Sequence, residues 1–517
     1  MTGLRLGRGG SQVDIPKGMQ RFRDALRRRG PGPLAGMAWA ALRRQGPAGV
    51  LRMASDGQPF ESVAPTSRRA APAWPPVLGP GGALAASVWD RWLVQTPSVP
   101  ADAVLPDDVQ LFLQPGDKPS DRLNGAIREA LKDGVQVVTF DVLHRDRDKV
   151  SLLLAPGASL PALQEDDRHY RRGAATGAFG AAYPGEDLRA AIAAWAEDRS
   201  PEAVRTGWRH LDLPLAETIE AWSPPACPPG PAILVARAAG PGASAIICTK
   251  DKGHLTRQLV RQLLRLGDDQ LAEVIILANG TTNPNALQTL AELSGDPRVQ
   301  VLQRPDPFNF SRLCNAGVAA SRSNGPLLFL NDDIAPVSEG WLAAMTARLA
   351  QPGTGAVGPL LLYPDERVQH AGVYLRLPDG AGHVLRGAQL PEGDPLGLAA
   401  SAREVSCLTG AALLVDREVF RQVGGFDEAL ALSFQDLDLC LKLREAGRRN
   451  VLEPRAVLLH MESATLGLGG DPAKALLRHQ ERVLFADRWG ALYPKDPFHP
   501  AMLDLSDESA LRLRRPA

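Results

Sequence analysis

The residues richest in chemistry lie in two acidic turns. In the first, the apolar run Leu327-Leu328-Phe329-Leu330 ends abruptly in Asn331-Asp332-Asp333. In the second, Phe434-Gln435 opens into Asp436-Leu437-Asp438-Leu439-Cys440, and Val457-Leu458-Leu459-His460 follows. A buried strand that delivers carboxylates at its C-terminal end is what an α/β protein needs to hold a metal and a phosphorylated ligand. A second carboxylate set and a histidine nearby would complete a metal site and add a general base. Taken singly, each motif also has a plainer reading. Asp332-Asp333 could cap a helix or line a solvated turn, and a lone histidine is often a hydrogen-bonded core residue. Asp436 and Asp438 would occupy the first turn of a helix, where the macrodipole favours negative charge whatever the chemistry.

Positioning such residues takes alternating strands and helices, and the pattern from Ala243 onward supplies them. Ser244 to Cys248 reads as a strand, and Leu255, Leu259, Leu263 and Leu266 mark one apolar helix face. Glu273 to Ala278 and Val299 to Leu302 read as strands, with a helix from Asn285 to Leu293 between them. Ser311 to Ala320 reads as a helix and Leu327 to Leu330 as a strand. This βαβ punctuation predicts a parallel sheet with helices on both faces. Ligands would bind at the carboxyl ends of its strands, where Asp251, Asn279 and Asp333 all fall. Trp341, with Leu342 and Met345 after it, reads as core packing.

Upstream, Val109 to Leu113 and Val135 to Phe140 read as strands, and Arg122 to Leu131 and Leu188 to Trp195 as helices. They predict a modest domain over 103–225. A proline-rich stretch at 222–231 marks a linker, drawn at 226–242, before a main segment at 243–505 and a tail at 506–517. Residues 1–102 are rich in arginine, proline, glycine and alanine, with Arg21, Arg23, Arg27, Arg28, Arg29, Arg43 and Arg44 around short helical stretches such as Leu34 to Leu42. This extension reads as loosely helical and poorly ordered, or as basic helices touching an anionic membrane or a partner. Pro72 to Pro80 reads as another linker.

Lysine plus arginine and aspartate plus glutamate balance at 58 each, so global charge gives no reason to expect nucleic acid as a partner. The five cysteines (Cys227, Cys248, Cys314, Cys407 and Cys440) show no CxxC spacing. They fit unpaired thiols in a reducing compartment rather than a disulfide framework or a zinc ribbon. No run reaches the roughly 18 apolar residues of a membrane span, and the N-terminus lacks a signal-peptide core. The expectation is a cytoplasmic protein, with peripheral contact at the inner face of the cell membrane.

The stretch from about 243 to 500 also carries a series of blocks in a familiar order. They are Ile247-Cys248-Thr249-Lys250-Asp251, Pro307-Phe308-Asn309-Phe310-Ser311, Asn315-Ala316-Gly317-Val318-Ala319 and Leu328-Phe329-Leu330-Asn331-Asp332-Asp333. Val368-Gln369-His370-Ala371-Gly372-Val373, Leu408-Thr409-Gly410-Ala411 and Val423-Gly424-Gly425-Phe426-Asp427 follow. The Asp436 helix and His460-Met461-Glu462-Ser463 complete the set. The stretch resembles family 2 glycosyltransferases of the GT-A fold, on the rhamnosyltransferase-like branch found in bacterial polysaccharide loci. The resemblance implies an α/β, Rossmann-like, mostly parallel sheet flanked by helices. The 103–225 segment is similar to part of a second GT-A domain. There Leu111-Phe112-Leu113-Gln114-Pro115-Gly116-Asp117 sits where an acidic metal motif would be, with Asp117 as its one carboxylate. It is expected to be a smaller, degenerate and catalytically silent α/β relative.

For function, the resemblance implies an inverting, metal-dependent transfer of rhamnose or another hexose. The donor would be a nucleoside-diphosphate sugar, and the acceptor a cell-surface polysaccharide or lipid-linked glycan. Asp333 and His460 match the metal ligands, and their mixed shell suits Mn²⁺ better than Mg²⁺, though either could serve. Asp436 matches the general base. Asn331 and Asp332 would meet ribose and diphosphate, and Thr249 and Asp251 the nucleotide base and ribose. Asn309 and Asn315 would lie at the diphosphate edge, with Asn279 at the second strand end and Thr409 and Gly410 on the sugar and acceptor side. Three positions depart from the family. Ala278 stands where an aspartate usually meets the nucleobase, Cys248 replaces a proline, and Gln435 precedes the base. The loss at Ala278 supports an alternative, a catalytically weak or inactive relative that binds glycan or scaffolds an assembly. A nucleotidyltransferase lacks support, because no glycine-rich basic loop follows the first strand.

Overall fold

The computed structural model describes residues 83–85, 89, most of 104–218, 240–461 and 472–504 apart from short interruptions, and a few beyond. All of these belong to one compact unit, 73–517. The expected helix at 34–42, both proline-rich linkers, Glu462, Ser463 and most of the tail lie outside the described residues.

The main sheet is built from strands that read as near-continuous apolar runs because both of their faces are covered. Strand β1 (Ala243–Thr249) buries every residue but Cys248. Helix α1 (Gly253–Leu266), β2 (Leu271–Ala278), α2 (Pro284–Leu293), β3 (Val299–Gln303), α3 (Phe310–Ala320) and β4 (Leu327–Asn331) follow in the expected alternation. Alternate residues feed two separate cores. Ile246, Ile275, Leu277 and Phe329 join one, and Ile247, Val274, Ile276 and Leu328 join the other. Period-two alternation across a sheet with helices on both sides requires this division. Trp341 is fully buried in the second core, as expected.

Beyond β4 come β5 (Ile334–Pro336), α4 (Trp341–Leu349), β6 (Thr354–Leu362), β7 (Val368–His370) and the hairpin β8 (Val373–Arg376) and β9 (Gly380–His383). They are followed by β10 (Arg403–Val405), β11 (Ala412–Val415), α5 (Arg417–Gln422), α6 (Gln435–Glu445), β12 (Arg449–His460) and α7 (Pro472–Trp489). The sheet order is β3-β2-β1-β4-β11-β6-β12-β5. Its first four strands are parallel. Strand β11 runs antiparallel to both of its neighbours, β6 and β12 are parallel, and β5 is antiparallel to β12. The parallel arrangement therefore covers the first half and gives way to a mixed second half. The chain builds β2 and β3 on one side of β1, then places β4 on the other. That reversal opens a crevice at the carboxyl ends of β1 and β4.

The upstream region forms a seven-stranded sheet. Strands at 109–112 and 137–146 and helices at 123–130 and 188–197 appear where expected. Ala83–Ala85 pairs with Lys149–Leu153, so the sheet also takes in chain from ahead of residue 103. Trp89, Leu143 and Val150 share an apolar cluster with Phe329 and Leu413 of the main sheet. Ser159 Oγ accepts the Glu404 N–H at 2.9 Å.

Candidate active site

Strand β4 carries its apolar run to the crevice and ends in the acidic turn. The Asn331 N–H donates to the Ala411 carbonyl at 2.9 Å, which fastens the turn to the segment entering β11. Asp332 is only 6% exposed. Its Oδ2 accepts the Thr249 hydroxyl at 2.8 Å, and its Oδ1 lies 3.4 Å from Lys252 Nζ. Burial pushes the Asp332 carboxyl above its ordinary value, with Lys252 and Thr249 acting in the opposite direction.

Asp333 Oδ1 faces His460 Nε2 at 3.2 Å. Burial alone would raise this carboxyl, but the hydrogen bond and charge of His460 hold it below its ordinary value. Register explains the meeting. Strand β5 pairs Ile334 with His460, and the Met461 N–H donates to the Asp333 carbonyl at 3.0 Å. His460 Nδ1 is buried and has no partner among the described residues. A carboxylate oxygen opposite an imidazole nitrogen, with an orphaned second ring nitrogen, fits part of a cation shell. Among the described residues no cluster of three or more His, Cys, Asp or Glu forms a ready cage. Diphosphate oxygens and water would have to supply the remaining ligands, as is common for cations held by phosphorylated substrates.

Asp436 opens α6 from a constrained loop. Phe434 before it has a φ of 65°, a left-handed value costly for a bulky side chain. Two contacts from α7 hold it there. Phe485 stacks on Phe434 with ring centroids 5.1 Å apart, and Glu481 accepts the N–H groups of Ala431, Leu432 and Ser433 at 2.7, 3.0 and 2.7 Å. The Asp436 carboxylate is half-buried. Among the described residues it accepts only backbone N–H groups, from Gly410 at 2.7 Å and Leu437 at 2.9 Å. Burial pushes it above its ordinary value, partly offset by those two bonds. Asp438, two residues on, is sealed and neutralised by Arg488 at 2.5 Å and Lys442 at 3.2 Å, with Trp489 Nε1 donating at 3.0 Å.

Gly410 is the link between the two acidic turns. A Cβ there would stand 3.2 Å from Asp436 Cβ, so glycine permits the close approach. Its neighbour Ala411 holds Asn331, so Gly410-Ala411 joins the base candidate to the acidic turn. Thr249, Asn331, Asp332, Asp333, Thr409, Gly410, Asp436 and His460 thus gather at one crevice.

The other expected ligand residues brace its rim. Asp251, at a φ of 57°, accepts the N–H groups of Asn283 and Thr282 at 2.8 and 2.7 Å, which lower its pKa. Asn279 is buried and donates to the carbonyls of Arg304 and Asp306 at 2.9 and 2.8 Å. Asn309 caps α3 through the Arg312 N–H and donates to the Glu428 carbonyl. Asn315 exchanges two hydrogen bonds with the Phe426 backbone. Lys252 was not foreseen. Its signal lay in its place between Thr249 and the first residue of α1.

Residues 244–424 match glycosyl transferase family 2. The chain is 37% identical over 313 residues to the uncharacterized protein y4gI of Sinorhizobium fredii, covering 59% of this chain and 34% of that one. It is 37% identical over 229 residues to the O-antigen biosynthesis protein RfbC of Myxococcus xanthus, covering 44% and 18%. It is 29% identical over 254 residues to the N-acetylglucosaminyl-diphospho-decaprenol L-rhamnosyltransferase of Mycobacterium tuberculosis, covering 46% and 80%. The chain therefore spans about a third of the first relative's length and under a fifth of the second's.

Proposed function

We propose that this chain, a glycosyltransferase by its family 2 domain at residues 244–424, transfers a hexose such as rhamnose with inversion of configuration. The donor is a nucleoside-diphosphate sugar, and the acceptor is a polysaccharide or lipid-linked glycan. One observation carries the reading. Asp436 is a carboxylate with raised proton affinity and no cationic partner among the described residues, fixed beside the turn that holds Asn331.

In this reading the GT-A crevice seats the nucleotide between the ends of β1 and β4. The acceptor hydroxyl attacks the anomeric carbon and gives its proton to Asp436. The bond from that carbon to the diphosphate breaks, and its electron pair leaves on the phosphate oxygen. A single displacement inverts the centre. A divalent cation, Mn²⁺ or Mg²⁺, held by Asp333 and His460 would offset charge on the departing diphosphate. The upstream domain serves as a silent partner for packing or acceptor positioning. Among the described residues no helix is long and apolar enough to cross a membrane. Cytoplasmic placement, with membrane contact through the N-terminal arginines, belongs to the same proposal.

The test is a screen of UDP-, dTDP- and GDP-sugars with Mn²⁺ or Mg²⁺, read by released nucleoside diphosphate. Transfer by the wild type that disappears in Asp436→Asn and on chelation supports the reading. Equal rates in the two proteins would sink the base assignment. Calorimetry with the same donors and Mn²⁺ that finds no binding to any of them would favour a glycan-binding scaffold. That second reading draws on Ala278, which is fully buried, and on Asn279, whose amide is engaged by carbonyls.

A further inference from the structure

His370 ends β7 and His383 ends β9. Their Nδ1 atoms lie 3.0 Å apart with the rings edge to face. The protons of this pair can be assigned. Gly372 donates its N–H to His370 Nε2 at 3.3 Å, so that nitrogen presents a lone pair. Neutral His370 therefore carries its proton on Nδ1 and donates it to His383 Nδ1. His383 must then hold its own proton on Nε2. Gly372 reaches its donating position at a φ of 95°, where a Cβ would be strained. Both rings stay neutral, because burial drives His370 well below its ordinary value and His383 to about 3. The result is an uncharged N–H whose direction is fixed. It has no acceptor among the described residues, and the ring is only half-buried.

Strand register places the pair beside both parts of the site. His370 pairs with Leu361, and Leu361 with Leu458. Leu458 and His460 are two residues apart on β12, so His370 lies two strands across from the His460 end of β12. His383 pairs with Val373, which bridges Cys407, two residues before Thr409. The charge of His460 is felt by both rings. A diphosphate in this crevice would have Lys252, and a cation held by Asp333 and His460, to meet its charge. A neutral donor suits a hydroxyl instead.

We infer that His383 contacts substrate, its Nε2–H donating to a hydroxyl oxygen of the transferred sugar, and that His370 is the positioning residue that fixes the tautomer. This rests on the nucleotide-sugar reading above. Calorimetry with Mn²⁺ would compare wild type, His383→Ala and His383→Gln, using dTDP-rhamnose, UDP-glucose and GDP-mannose beside free dTDP, UDP and GDP. His383→Ala should weaken the nucleotide sugar that wild type binds by about tenfold and leave the matching free diphosphate unchanged. His383→Gln, which keeps a donor, should recover part of the loss. Nitrogen-15 spectra should show His383 as the Nε2–H tautomer at neutral pH, and His370→Asn should disturb that signal. Equal weakening of sugar and diphosphate, no weakening at all, or the Nδ1–H tautomer would each overturn the inference. A wild type that binds free diphosphate but none of the three sugars would remove the reading beneath it as well.

Discussion

Two aspartates that end similar apolar runs meet opposite partners. In the upstream sheet, Asp117 follows Leu111-Phe112-Leu113-Gln114-Pro115-Gly116, much as Asp333 follows the run of β4. Arg172 grips both Asp117 oxygens, Nε to Oδ2 at 2.9 Å and Nη2 to Oδ1 at 3.2 Å, and both side chains are sealed from solvent. The Gln114 N–H takes the same Oδ2 at 2.9 Å. A guanidinium bound this way cannot be deprotonated, and it occupies both oxygens that a cation would need. Asp333 instead faces a histidine, whose second nitrogen has no partner among the described residues. Helix α6 repeats the contrast over two residues, with Asp438 locked by Arg488 and Lys442 while Asp436, among the described residues, meets only backbone N–H groups. A working carboxylate differs from a structural one in whether its partner can yield.

That contrast can be broken most severely at the proposed base, Asp436. Asp436→Asn should lower kcat by about 10²- to 10⁴-fold in a donor-release assay, with little change in melting temperature. At the acidic turn, Asp333→Asn and His460→Ala should each cost at least about tenfold in Mn²⁺ affinity by electron paramagnetic titration. Asp117→Asn should leave that titration untouched. The locked pair makes the reverse prediction. Arg172→Met should cost about 3–5 kcal/mol in denaturant unfolding while turnover per folded molecule holds, because it strands a buried charge. Gly410→Ala should reduce kcat more than stability, since the added methyl presses on Asp436. The smallest effect concerns pH. As the proposed base, Asp436 would have to be ionised, and its proton affinity is raised, so activity should fall on acidification sooner than an ordinary carboxylate dictates. The acid limb of the kcat profile checks this, and a limb inside the ordinary carboxylate range would count against the base.

Much of the architecture was legible along the chain. Strands β1, β2 and β4 are buried on both faces and read as apolar runs, and the residue pattern marks α2 and α3 to within one residue of their observed bounds. The mixed half of the sheet was not legible, because β11 pairs across an insertion whose path no local pattern encodes. Asn309 and Asn315 look like ligand residues in sequence. Within the protein they bond to Glu428 and Phe426, 119 and 111 positions away. His370 stood inside a recognised block but His383 did not, and the proton arrangement of the pair depends on a backbone N–H from a left-handed glycine.

The chain by itself determined where strands end and which acids and imidazoles those ends could offer, because side-chain period and turn chemistry are local properties. Tertiary structure decided which of those acids remain unneutralised. Proton affinity and metal affinity follow burial and the distance to the nearest opposite charge, and spacing along the chain fixes neither.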